Sequence, residues 1–179
     1  GGRDLLPTAA DMLAPVLNTS LYTFKASGPM AVMEEVVIRR MAEKIGFPVP
    51  GAEGTFTPGG SLSNLMGMLL ARNQACPQAR EHGMGGIRFV GYVSADCHYS
   101  VAKAAGIIGI GRSSIRKVPT NDIGEMRLDS LKALIAADRA DGCLPGVIIA
   151  TAGTTVRAAF DPIADIAKLA RKEKEKAQK

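Results

Sequence analysis

Apolar residues at helical spacing define the first firm element of the chain. Their stripe ends at Gly46, with Pro48 just beyond it, a combination typical of a helix C-terminus. We therefore predict a helix before Gly46 and interpret its methionines as core residues. The stripe consists of Met33, Val36, Val37, Met41 and Ile45.

Short apolar or β-rich runs, each followed by a turn and an apolar helical segment, occupy the chain after residue 50. Repeated units of this kind indicate an α/β fold, with a mostly parallel sheet and helices on both faces. The fully apolar run 147–150 has the pattern of a central parallel strand. The predicted strands are 55–57, 87–93, 114–118 and 147–150, and the predicted helices between them include 101–108 and 129–140.

Composition narrows the classes of function and of partner. The 179 residues, 46% of them hydrophobic, suffice for one sizeable core. No apolar run reaches membrane-spanning length, so we expect a cytoplasmic protein without a membrane partner. The cysteines Cys76, Cys97 and Cys143 are scattered and odd in number, which favours neither a disulfide framework nor a metal site. Much of the net charge of +5 lies in the mixed-charge residues 168–179, so nucleic-acid binding is not expected either.

The segment TFTPGGSLSN, residues 55–64, joins a predicted strand end to a predicted helix through a glycine turn. We place the helix start at Ser61 or Ser63, both good capping residues. Amides at a helix start lack intrahelical partners and attract anions, so the Gly60 backbone and the Ser61 hydroxyl suit a phosphate. Taken alone, the decapeptide favours an ordinary capped helix. The predicted apolar face of this helix consists of Leu62, Leu65, Met66, Leu69 and Leu70.

Two later turns place polar side chains at predicted strand ends. His98 follows the second predicted strand, a position where open α/β sheets bind ligands, although capping of the next helix explains it equally well. Thr155 closes a hydroxyl-rich turn after the last predicted strand. Asp161 before Pro162 is typical of a helix cap. We expect the strand ends near Gly59, His98 and Thr155 to open on one edge of the sheet.

Four stretches carry a family resemblance: NTSLYTF, TFTPGGSLSNLMGMLLAR, DCHYSVAKAAGIIGIG and ATAGTTVRAAFDPIADIA. Together they resemble the pyridoxal-phosphate-dependent group II amino-acid decarboxylases. Within that family the motif sequences are most similar to those of glutamate and cysteine sulfinate decarboxylases. The resemblance covers residues 17–170, with the motifs in the right order. The resemblance implies that residues 1–179 form a single domain, which is an incomplete large domain of the fold-type-I pyridoxal-phosphate enzymes. Within it, a helical segment, 1–49, would pack on the strand and helix units of 50–179.

The resemblance assigns roles residue by residue. Gly60 and Ser61 match the contacts to the phosphate of pyridoxal phosphate. His98 matches the histidine that stacks on the pyridine ring near the reacting carbon. Thr155 matches the threonine beside the phenolic oxygen and the substrate. Asp161 also matches a family aspartate, but its helix-cap interpretation leaves it no chemical role.

Two family residues are not matched in the chain. The family's ring-nitrogen aspartate lies in a His-Val-Asp-Ala-Ala strand after the position of Ala170, and its Schiff-base lysine follows a histidine. Neither histidine of this chain precedes a lysine. We therefore expect the first part of a cofactor-binding domain, either truncated or completed by another polypeptide, and inactive alone. Lys25 replaces part of a Tyr-Glu-containing stretch near the family's substrate pocket, which leaves the amino-acid preference open.

Three hypotheses follow for the function. The first is part of a decarboxylase that acts on an amino acid with pyridoxal phosphate, and the sequences HYS and ATAGTT favour it. The second is another reaction on the same fold, by an aldehyde-lyase or a transaminase. The third is a non-catalytic α/β module that binds phosphate or a partner protein.

An open sheet edge with an uncovered apolar face also predicts a homo-oligomer.

Overall fold

The structure, a computed structural model, describes residues 3–177, which form two compact units divided between Thr57 and Pro58. The first unit is helical. Its first helix begins after Asp4, whose carboxylate accepts a hydrogen bond from the Leu6 amide at 3.2 Å, and ends at the left-handed residue Asn18. The helices are α1 (Leu5–Leu17), α2 (Phe24–Ser27) and α3 (Pro29–Ile45).

The predicted end of α3 is confirmed, but the predicted role of its apolar stripe is wrong. Gly46 has a φ of 90° and donates its amide to the Ala42 carbonyl, as a glycine C-cap does. Met33 and Met41 are 57% and 50% exposed. Among residues 3–57 only Ser27 and Ala42 are buried, because the three helices of this unit enclose no core of their own.

The second unit alternates helices and strands, as the repeated units predicted. Residues 55–57, predicted as a strand, belong to no sheet in the described chain, so the predicted strand is wrong. The elements are α4 (Gly60–Ala75), α5 (Ala79–His82), β1 (Phe89–Ser94), α6 (Ser100–Ile107), β2 (Ile115–Val118), α7 (Leu128–Ala140), β3 (Leu144–Ile149) and α8 (Ile163–Ala177).

The sheet of the described residues is parallel, with the strand order β2-β1-β3. Tyr92 on β1 pairs in register with Arg116 on β2 and with Ile148 on β3. Every residue of β1 is buried, whereas every residue of β3 is half-buried. The interpretation of 147–150 as a central strand is therefore wrong here. A continuous apolar run indicates that both faces are covered, but not how many neighbouring strands are present.

The core lies on both faces of β1, which confirms an α/β fold with helices on each side. Successive residues of a strand point to opposite faces, so Tyr92 and Val93 enter different clusters. Tyr92 packs with residues of α7 and α8, among them Leu131 and Leu169. Val93 packs with residues of α4 and α6.

Helix α4 is buried over only part of the predicted stripe, at Leu65 and Leu69, together with Met68, which the prediction did not include. Met68 is 2% exposed, and Leu65 and Leu69 pack beside it against α6. Leu62, Met66 and Leu70 of the predicted face are exposed. Contact with α6 selects the stripe, and hydrophobicity alone does not distinguish the apolar positions of this helix.

Candidate functional site

The first turn of α4 is open and carries no acidic residue. Helix bonding begins with the amides of Leu62 and Ser63, which donate to the Gly59 carbonyl at 3.0 and 3.2 Å. The amides of Gly60 and Ser61 therefore precede the first intrahelical bonds. A Cβ added at Gly59 or Gly60 would meet no atom within 4 Å, so an anion could approach this backbone closely.

The prediction that Ser61 or Ser63 caps α4 is wrong. Gly59 is the N-cap, and its φ of 147° is a conformation that side-chain-bearing residues rarely adopt. The glycine turn thus starts the helix one residue before the predicted serine. This places Ser61 within the first turn of α4.

His98 lies in the connection between β1 and α6 and is exposed. Its Nδ1 accepts a hydrogen bond from the Ser100 amide at 3.2 Å and lies 2.8 Å from the Ser100 hydroxyl oxygen. The ring of Tyr99 is tilted against it, with 4.3 Å between centroids. The imidazole is thus hydrogen-bonded through one nitrogen to Ser100, the first residue of α6, although the N-cap residue of that helix is Tyr99 and not His98.

A polar side chain of α4 connects the glycine turn to His98. Asn64 donates from Nδ2 to the Ser100 hydroxyl oxygen at 2.8 Å, and Ser100 is 2% exposed. Since Asn64 lies about one helical turn after Gly60, the turn and the imidazole are held at the same end of the sheet. Sequence reasoning missed Asn64 and Ser100. A polar residue beside the apolar stripe of a helix was the available signal.

Thr155 lies exposed in the loop after β3. Because β1 and β3 are parallel, this loop and the one that contains His98 leave the same edge of the sheet, as predicted for those two strand ends. The neighbouring Thr154 is buried, and its hydroxyl accepts from the Ala159 amide at 3.1 Å. No strand of the described residues ends at Gly59, so the expectation of three strand ends is wrong there.

Asp161 is buried, and the interpretation of its carboxylate as a helix cap is wrong. One carboxylate oxygen accepts from the Met126 amide at 2.8 Å, and the other accepts from the Thr151 amide at 2.7 Å. Both bonds lead away from α8 and connect the loop before α7 to the loop after β3. The position of Asp161 before a proline could not reveal Met126, which lies 35 residues earlier.

Two other features of the described residues, the cysteine thiols and one cavity, include none of the predicted site residues. Burial raises the pKa of the Cys97 thiol, and the three cysteines are free. In the described part of the chain, no group of three or more His, Cys, Asp or Glu side chains could hold a metal ion. A cavity of about 680 Å³ borders β3 residues 144–148 and Arg139, and none of the predicted site residues lines it.

Helices long and apolar enough to span a bilayer are absent from residues 3–177.

The known proteins to which this chain is similar are decarboxylases. Residues 1–176 match the family described as the pyridoxal-dependent decarboxylase conserved domain. The chain is 40% identical to the acidic amino acid decarboxylase GADL1 of Mus musculus, over 94% of this chain and 30% of that protein. It is 36% identical to the human cysteine sulfinic acid decarboxylase, over 93% of this chain and 34% of that protein.

The solved structures agree with the fold. The crystal structure of mouse CSAD in apo form superposes with a TM-score of 0.92 at 35% identity, over 96% of this chain and 36% of that chain. The present chain thus spans about a third of the length of the relatives that it matches.

Proposed function

This chain belongs to the pyridoxal-dependent decarboxylase family, and from that premise we propose that it supplies part of the active site of an amino-acid decarboxylase. The observation that carries the proposal is the hydrogen-bonded connection from Asn64 through Ser100 to His98. It holds the glycine turn of α4 and the imidazole at one end of the sheet, where α/β folds bind cofactors.

The residues of this region fit pyridoxal phosphate. The amides of Gly60 and Ser61 lie at the positive end of α4, in open space and without a neighbouring carboxylate in the first turn. We propose that these amides and the Ser61 hydroxyl bind the phosphate, that the His98 imidazole stacks on the pyridine ring, and that the Thr155 hydroxyl contacts the phenolic oxygen. Sequence resemblance supports these four assignments.

When bound, the cofactor supplies an electron sink for the charge left on carbon when a carboxyl group departs as CO₂. The proposed role of the chain's own residues is to bind the cofactor and to orient it. The amides of Gly60 and Ser61 precede the first intrahelical bonds, so they need not give up such a bond to meet a phosphate. An imidazole anchored at Nδ1 keeps its ring plane, so it can act as a fixed surface for an aromatic ring.

The remaining functional assignments are also proposals. We propose an amino acid as the substrate and a homo-oligomer as the working form. We place the protein in the cytoplasm, because its three cysteines are free and scattered. No nucleic-acid or membrane partner is proposed.

Titration of the chain with pyridoxal phosphate, followed by its absorbance and with inorganic phosphate as competitor, tests the phosphate site. Ser61→Asp places a carboxylate among the amides, so we expect affinity to fall at least about tenfold through charge repulsion. The matched control is Ser130→Asp, which makes the same change in the first turn of α7 and should leave the affinity unchanged. Equal affinities of the Ser61→Asp and wild-type chains would refute the assignment.

Borohydride reduction followed by intact mass measurement distinguishes a bound cofactor from one held covalently by this chain. Since neither histidine precedes a lysine, we expect no stoichiometric adduct at a single lysine. An adduct of that kind would show that the chain provides its own covalent anchor.

A further inference from the structure

We propose that Asn64 and Ser100 are positioning residues that keep His98 in one neutral tautomer, with its ring proton on Nε2. His98 then presents a hydrogen-bond donor, and no basic nitrogen, at its free edge. The significance of this state rests on the proposed role of His98 beside the cofactor. The tautomer itself is a property of the chain alone and can be measured without any ligand.

The backbone amide of Ser100 determines the state of Nδ1. An amide N–H can only donate, and it lies 3.2 Å from Nδ1 of His98. This contact is a hydrogen bond only if Nδ1 offers its lone pair. A neutral imidazole with an unprotonated Nδ1 carries its proton on Nε2.

The hydroxyl of Ser100 reinforces the same state. Its oxygen lies 2.8 Å from Nδ1, which carries no proton, so the hydroxyl proton must point at that nitrogen. The hydroxyl oxygen keeps lone pairs, and one of them accepts the Asn64 amide at 2.8 Å. The donors therefore run in one direction, from Asn64 to Ser100 to His98.

Burial of Ser100 makes it costly to reverse the direction of the hydrogen bonds that run from Asn64 through Ser100 to His98. Ser100 is 2% exposed, so solvent does not readily replace either of its partners. A proton added at Nδ1 would face the Ser100 amide, so that hydrogen bond would be lost, and the Ser100 hydroxyl would have to turn its proton away from the ring. In the neutral ring the proton of His98 therefore lies on Nε2. Its contribution to a bound ligand is a ring face and one N–H group.

Substitution of Asn64 by aspartate tests the inference, because Asn64→Asp changes one amide donor into an acceptor with little change of shape. The carboxylate introduced on α4 would accept the Ser100 hydroxyl proton, and the Ser100 oxygen would then accept from His98. We expect the proton of His98 to move to Nδ1. Long-range ¹H–¹⁵N correlation spectra of the ring-labelled chain at about pH 8, where an ordinary histidine is neutral, report which nitrogen is protonated.

The controls come from the same chain. Asn73→Asp makes the identical change later in α4, beside Arg72, and should leave the His98 spectrum as in the wild type. His82 is the other histidine and provides an internal reference, with its signals assigned from His82→Gln. If Asn64→Asp does not fold, Ser100→Ala is the second variant. It removes the hydroxyl bond, and the ring-nitrogen shifts of His98 should then move toward those of His82.

The outcomes separate this inference from the proposed function. A wild-type His98 protonated on Nδ1, or an unchanged His98 spectrum in both variants, would overturn it. A wild-type Nε2 proton that moves in Asn64→Asp supports it, even if the chain fails to bind pyridoxal phosphate. That failure would instead count against the proposed function.

Discussion

At the scale of single residues, Asp138 on α7 depends on partners from two strands. Its carboxylate accepts from the Tyr92 hydroxyl at 3.0 Å and from the Arg116 guanidinium at 2.8 Å. The Arg116 hydrogen bonds hold the pKa of Asp138 below its ordinary value. Burial, followed by the bond to Asp138, raises the pKa of Tyr92. Sequence patterns did not indicate this group, because its members lie 22 or more residues apart.

The depressed pKa of Asp138 predicts a loss of stability in acid. A carboxyl group whose pKa is lower in the folded chain stabilises the fold above its unfolded pKa of about 3.9, and this contribution fades as the pH falls below that value. Asp138→Asn should cost about 1–3 kcal/mol at neutral pH and flatten the acid limb of stability against pH. Urea unfolding over a pH series measures both effects.

The control for this experiment is Asp122→Asn, which changes an exposed loop carboxylate. It should keep the wild-type acid limb. An acid limb equally steep in Asp138→Asn and in the wild type would contradict the assignment to Asp138.

Asp161 shows the limit of residue-level inference. The Asp-Pro pair correctly predicted a helix nearby, since α8 begins at Ile163. The carboxylate nevertheless bonds to amides of two loops, because buried amides without a backbone partner need an acceptor. A neighbour 35 positions away decides between the two uses of the same side chain.

At the scale of elements, the helices were predicted better than their buried faces. The predicted helix 129–140 agrees with α7 to within one residue, and Leu131 and Ile135 face the core as the pattern required. In α4 the apolar residues cover several faces, so the contact with α6 had to select Met68. The N-cap of α4 is Gly59 and not a serine, because the turn requires a positive φ there.

Strand β3 contains a bulge that accounts for Gly146. Val90 pairs with Pro145 and Gly91 with Val147, so Gly146 is the extra residue on β3. A Cβ at Gly146 would fall within the ring of Phe89, which is 1% exposed. The ring is enclosed, and the bulge therefore depends on glycine.

Gly146→Ala should destabilise the chain by about 1–3 kcal/mol, because the added methyl group overlaps the enclosed Phe89 ring. The matched control is Gly67→Ala on α4, where a Cβ meets no atom within 4 Å. That change should stabilise the chain by about 0.5–1 kcal/mol through helix propensity. Urea midpoints of the two variants measure the difference, and coincident midpoints would refute the packing argument.

At the scale of the whole chain, apolar surface is concentrated on the first unit. Helix α1 has no buried residue, and its large apolar side chains are more than half exposed. Exposed apolar side chains that are grouped on one helix are typical of a protein contact surface, which supports the proposed homo-oligomer. The side chains are Leu5, Leu6, Met12, Leu13, Val16 and Leu17.

Replacing Leu6 and Leu13 together by glutamate should weaken self-association at least about tenfold, since two exposed apolar groups of one helix face become charged. Light scattering across the micromolar range measures the change. The control is the double change Ile123→Glu and Val156→Glu in exposed loops of the second unit, which should leave association intact. A wild-type chain that stays monomeric across the range would refute the homo-oligomer.

The sequence by itself determined the α/β class, most strand and helix positions, the glycine turn and the family, because these depend on local periodicity and on short motifs. Tertiary structure decided what depends on neighbours distant in the chain. The strand order placed β1 at the centre, contact with α6 selected the buried stripe of α4, and long-range hydrogen bonds assigned Asp161 and Ser100 their partners. The sequence specifies which groups a side chain carries, but the packing of distant segments decides which partner those groups contact.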